Sequence, residues 1–179
     1  MPDFQEIARL AEECGFAACV KLDLQTLEFL PAVRDMCAEN RCGKYGKSWA
    51  CPPACGTLEE LQEKVLRYSA GVIVQTVCTL KNSFDWKGMT DAGTRHKENQ
   101  EKMHGILKKE YPDVLTLGAG TCTICETCTY PDAPCRFPER LVYSMEACGL
   151  FVSRICKANQ IPYNHGEGTV CYTGCFLLE

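Results

Sequence analysis

Eight cysteines crowded into two short segments constrain this chain more than any other feature. Cys37, Cys42, Cys51 and Cys55 lie in CAENRCGKYGKSWACPPAC, and Cys122, Cys125, Cys128 and Cys135 lie in CTICETCTYPDAPC. Four thiols spaced this way invite one metal centre per segment. A segment that wraps a metal must be a loop, so helices and strands have to be built around residues 37–55 and 122–135 rather than through them.

The second group carries the sharper chemical signal. C-x2-C-x2-C brings three thiolates round one turn of chain, as ferredoxin-type loops do for three irons of a cubane cluster. The fourth cysteine comes after six further residues, later than in the bacterial ferredoxin run, and the proline comes at Pro138. In two-cluster ferredoxins that fourth cysteine ligates the other cluster. Here the TYPDAP stretch gives Cys135 slack to close its own, and crossing over is the alternative. Zinc is the competing metal, but its tetrahedral sites usually take paired knuckles rather than a cysteine triple.

The first group, C-x4-C-x8-C-x3-C, fits zinc nearly as well as iron–sulfur. Its setting adds Gly43, Gly46 and Gly56, which let backbone approach a cluster, and Pro52 and Pro53, which stiffen the turn after Cys51. Arg41, Lys44 and Lys47 offset the charge of a thiolate-ligated cluster.

Compartment decides how so many thiols are read. The amino-terminal residues MPDFQEIARLAEECG are acidic and amphipathic and do not resemble a secretory signal. Apolar stretches such as AGVIV (70–74) fall far short of the roughly 20 residues of a spanning helix. The expectation is a soluble, cytoplasmic protein, where disulfides are disfavoured; the odd total of 15 cysteines agrees. Exposed thiols oxidise in air, so an anaerobe is the expected host. A net charge of −4 and a pI near 5.5 advertise no nucleic-acid surface.

No linker or internal repeat divides the chain, so residues 1–179 read as a single domain. Asp3 and Glu6 cap a helix over residues 4–14 that Gly15 stops. FAACVK (16–21) reads as a short strand. Thr57 and Glu60 form a capping box for a helix with Leu58, Leu61, Val65 and Tyr68 on one face. AGVIVQTVCTL (70–80) reads as a central strand, 93–110 as a polar helix, and VLTLG (114–118) as another strand. Pro138 with Leu141, Val142, Met145 and Cys148 predicts a helix that Gly149 ends, and 151–159 a second one. TVCYTGCFLL (169–178) closes as a strand or hairpin. Alternating strands and helices predict an α/β fold, a partly parallel sheet flanked by helices, with two cysteine-rich metal-binding loops on its connections.

The string C-x4-C-x2-YGKSWACPP-x-C, the later GAGTCTICETC, CRFP and SMEACG together resemble a cysteine-rich family of predicted metal-binding proteins common among anaerobic archaea and bacteria. The resemblance covers about residues 35–178. It implies the same eight cysteines as ligands and no particular reaction.

Of the other cysteines, Cys14, Cys78 and Cys148 fall on apolar faces and read as core. Cys171 and Cys175 meet as a pair if CYTGC turns, and stand roughly 13 Å apart if it is a straight strand. His96 and His104 read as solvated, and His165 as a loop residue. No Walker loop, dinucleotide fingerprint or nucleophile elbow is present.

The leading expectation is an iron–sulfur protein with two [4Fe–4S] clusters that transfers electrons to a redox partner protein. The runner-up is an enzyme acting on a small molecule at a cluster with an open iron, that of Cys37, Cys42, Cys51 and Cys55, its pocket lined by Tyr45, Lys47 and Trp49. A zinc-stabilised binding or regulatory module is the third.

Overall fold

Local chemistry starts and stops the first helix. Asp3 Oδ1 accepts from the amides of Gln5 and Glu6, and Gly15 at φ +99° ends α1 (Phe4–Cys14). The computed structural model describes residues 2–179; Met1, first residue of the expected domain, lies outside them. After β1 (Ala18–Lys21), Pro31 opens a short helix, α2 (Pro31–Ala38), whose last turn carries Cys37. The Thr57–Glu60 capping box is formed and starts α3 (Leu58–Leu66). Strand β2 (Ala70–Thr79), the long helix α4 (Trp86–Leu107) and β3 (Leu115–Gly118) follow, then β4 (Tyr143–Ser144), α5 (Val152–Ala158) and β5 (Thr169–Leu178).

All five strands form one sheet in the order β1-β2-β5-β3-β4. The expected α/β fold is present, with a sheet that is mostly antiparallel. Only β3 and β4 pair in parallel, Leu117 opposite Tyr143 and Gly118 opposite Ser144. The reason lies in one insertion. Helix α4 carries the chain from β2 to β3, which run in the same direction. Strand β5 then enters between them and pairs antiparallel with both. The unit is a split βαβ.

Residue alternation along the central strands divides the interior in two. Val72 and Val74 of β2 and Phe176 and Leu178 of β5 pack with α1 and α4 through Ile7, Ala11, Met103 and Leu107. Ile73, Cys175 and Leu177 face the other way, onto Leu61 and Val65 of α3, Ile155 and Cys156 of α5, and Cys55 of the first cysteine loop.

One predicted helix is absent. Residues 138–148 form a 3-10 turn (Pro138–Arg140), the short strand β4, and a turn ended by Gly149 at φ +72°. The apolar spacing suited a helix, but Tyr143 is captured by β3, and Met145 and Cys148 reach the core from the following turn. Tertiary pairing overrides the local pattern.

Candidate metal centre

The first cysteine loop is built into the fold. Cys37 ends α2, and its carbonyl accepts from the Asn40 amide at 3.1 Å. Asn40 (φ +54°), Gly43 (φ +69°) and Gly46 (φ +65°) turn the chain through left-handed conformations. Gly46 N donates to Pro52 O at 2.8 Å, and Cys55 N to Cys51 O at 3.1 Å, which folds the segment back on itself. Arg34 of α2 bolts the far end down: its guanidinium donates to Ala147 O at 2.6 Å and to Gly56 O. Cys51 and Cys55 are buried, Cys37 is partly buried, and Cys42 is exposed.

The second loop leaves β3 at Gly118 and stands further out. Its four cysteines are all partly exposed. It is held mostly by itself: Ala133 N donates to Thr129 O, Thr129 Oγ1 to Pro134 O, and Arg136 to Thr127 O at 2.8 Å.

The two loops touch. Cys51 Sγ donates to Thr121 Oγ1 at 3.2 Å. The Trp49 indole donates to Ala133 O at 3.0 Å and meets the Tyr130 ring edge-on at 4.9 Å between centroids. Trp49 is therefore a clasp between the loops rather than the wall of a pocket.

Electrostatics follow the same division. Burial pushes the Cys37, Cys51 and Cys55 thiols up; neighbouring thiols add to this, Cys42 and Cys51 on Cys37, and Cys42 and Cys122 on Cys51. At Cys128 burial also pushes upward, but the amides of Tyr130, Trp49 and Thr129 and the Ser48 hydroxyl outweigh it and hold the thiol below its ordinary value. Such N–H and O–H donors round a cysteine sulfur are what a thiolate bound to metal requires. All 15 cysteines are free thiols. Among the described residues no three His, Cys, Asp or Glu side chains converge on one point as ligands of a single ion. The thiols of Cys37, Cys42, Cys51 and Cys55, and those of Cys122, Cys125, Cys128 and Cys135, are thus not gathered into one ligand set; they lie spread along two abutting loops.

The remaining cysteines sort cleanly. Cys14 and Cys148 are core, and burial drives Cys148 up to about 12. Cys78 lies only partly buried, 3.7 Å from an Arg95 nitrogen. CYTGC is straight strand, so Cys171 and Cys175 do not meet; Cys175 is buried against Met145.

His96 and His104 depart from expectation, whereas His165 is the loop residue expected. His96 is fully buried, with Nδ1 2.9 Å from Thr76 Oγ1 and its ring edge-on to Phe16. His104 Nδ1 lies 2.9 Å from Thr116 Oγ1. Neither Nε2 has a partner among the described residues. His165 Nε2 is 3.0 Å from Gln75 Oε1, a buried amide that also donates to Pro162 O. The polar face of α4 thus turns inward. Its Gln100 lies across Gly118 and Gly174, where a Cβ would come within 3.0 and 2.2 Å of its amide atoms.

Where the sheet parts, a cavity of about 1010 Å³ opens beside the second loop. Its walls are the polar face of α4, the 118–124 turn with Cys122, and Cys171, Tyr172 and Thr173 of β5. Tyr45, Lys47 and Trp49 do not line it. Its sequence signal was the polar stripe Thr90, Gly93, Lys97, Gln100, His104 and Lys108, spaced three and four apart along one helix face.

Residues 20–178 match the family described as predicted metal-binding protein (DUF2284), and the chain belongs to it. No curated protein and no solved structure matches the chain. No helix among the described residues is long and apolar enough to cross a membrane.

Proposed function

We propose that this metal-binding protein is an iron–sulfur protein that carries electrons. Cys37, Cys42, Cys51 and Cys55 would hold one [4Fe–4S] cluster, and Cys122, Cys125, Cys128 and Cys135 the other. Each cluster, when bound, supplies a one-electron donor and acceptor closed by four thiolates. The observation that carries this reading is the contact of the two all-thiol loops through Cys51–Thr121 and Trp49–Ala133. Centres on abutting loops would be close neighbours, which favours electron exchange between them. The partly exposed second loop gives a redox partner protein its way in, in the reducing cytoplasm of an anaerobe. The protein's own contribution is to shield the first site, seat donors round Cys128 and fix the distance between loops.

The test is anaerobic purification followed by iron, acid-labile sulfide and zinc analysis. About eight irons per chain with matching sulfide are expected for two cubanes. Colourless protein with stoichiometric zinc and no sulfide would overturn the proposal in favour of a zinc-stabilised module.

The cavity favours a second reading. With Cys122 in its wall, the electrons would pass to a small molecule bound there, and the protein would be an enzyme. A small ligand that changes the EPR spectrum of one reduced cluster, saturating at one equivalent, would decide for it. An unchanged spectrum supports a carrier with both clusters fully ligated.

A further inference from the structure

Strand β5 reaches further than the strand beside it. Its pairing with β3 runs only from Leu177 to Cys175. Leu80 N donates to Gly168 O, and this sets the phase of the β2–β5 ladder: even-numbered residues of β5 bond to β2. Cys171 and Thr173 therefore turn their backbone N–H and C=O groups the other way, where β3 has already ended. That open edge forms one wall of the 1010 Å³ cavity. Opposite it stands α4 with Lys97 and His104. Below lies the turn from Gly118 to Cys122, at the carboxyl end of β3, the place where α/β sheets commonly receive ligands.

Two groups in these walls are unspent. Lys97 is half-buried and forms none of the ion pairs among the described residues. His104 has its Nδ1 engaged by Thr116 and its Nε2 without a partner among the described residues. By contrast Arg140, also in the wall, is neutralised by Glu101. Glu98, beside Lys97 on α4, and Glu139 and Glu146 on other walls add carboxylates, which disfavours a polyanion and limits the ligand to one oxyanion head.

We infer that the cavity binds a small organic molecule with a single oxyanion head, carboxylate or phosphate. Lys97 takes the head beside Cys122, and the polar body hydrogen-bonds along the open edge of β5 at Cys171 and Thr173. This deepens the second functional reading by naming the class of small molecule, but the binding itself does not need the clusters.

The test is calorimetric titration of the purified protein with inorganic phosphate and, separately, lactate, which carries one carboxylate and one hydroxyl. One of the two is expected to bind, which tells a phosphate head from a carboxylate head. Lys97→Met should weaken that binding at least about tenfold, as loss of a buried charged contact does. Lys157→Met, an exposed change on α5, should leave it unaltered. In the wild type the same titration should move the amide NMR signals of residues 118–121 and 171–173 and spare those of α1, a readout that survives any folding defect of the variant. Absence of binding by both probes at millimolar concentration, or equal affinity in Lys97→Met, overturns the inference. Iron and sulfide are measured on the same batches. Loaded protein that binds neither probe sinks this inference and spares the electron carrier; zinc protein that binds through Lys97 does the reverse.

Discussion

The two cysteine loops solve the same problem in opposite ways. The first is part of the interior: Cys55 packs in the core under α3, and Arg34 ties the loop exit at Gly56 to Ala147 across the molecule. The second is an appendage at the end of β3, closed by its own turn and clasped by Trp49. The difference teaches that a cysteine-rich loop can be an element of the fold or a passenger on it. Burial pushes the Cys37, Cys51 and Cys55 thiols of the first loop up, while the donors round Cys128 in the second hold its thiol below the ordinary value. The first site pays for its shielding with the fold's stability at stake; the second risks only itself.

Breaking the first loop's brace should have the largest effect. Arg34→Met removes two hydrogen bonds from a charged donor and leaves two carbonyls unanswered, a loss of about 3 kcal/mol in urea denaturation of the metal-free protein. A change under about 1 kcal/mol would mean that the first loop is no more integral than the second.

Acid should act on the other face of the sheet. Burial lowers His96 from 6.5 to about 4, so the folded protein keeps it neutral where the unfolded chain protonates it. The contribution is complete above pH 6.5 and falls as the pH drops towards about 4, by about 3 kcal/mol in total. Denaturation midpoints measured over that range should fall, and the slope should flatten in His96→Leu. An identical slope in the variant would place the acid sensitivity elsewhere.

Trp49→Phe removes the clasp's hydrogen bond and keeps its ring. A loss of about 1 kcal/mol is expected, with faster limited proteolysis within residues 122–135. Unchanged cleavage would show that the second loop holds itself without the first.

Cys125→Ser should do least to the fold. Metal-free stability should stay within about 0.5 kcal/mol of wild type, as at a surface site, while about half of the iron is lost. Loss of all iron would mean shared ligands, with Cys135 crossing to the first group.

Much of this architecture was legible where local chemistry decides it. The Asp3 cap, the Thr57 capping box and the β-branched run of β2 all appear as expected. The loops at both cysteine groups were legible too, apart from α2, which Pro31 starts and which carries the first group only as far as Cys37. What the sequence hid depends on distant partners. The stripe from Leu141 to Cys148 mimics a helix, yet β3 takes Tyr143. The polarity of His96 and His104 suggested water, but Thr76 and Thr116 wait on neighbouring strands. The cavity exists because β5 outruns β3, a difference in length that only strand pairing reveals.

The position of β5 also sets an order of assembly. It is the last strand in the chain and the one that joins the two halves of the sheet, so closing the sheet requires contacts of long sequence separation, β2 with β5 spanning Ala70 to Leu178. Both cysteine loops precede it. During synthesis the thiols therefore emerge on an unfinished scaffold, with Cys55 open to solvent until β5 docks and the interior under α3 closes. The buried site has a window of access that shuts with folding, whereas the outer loop remains approachable afterwards.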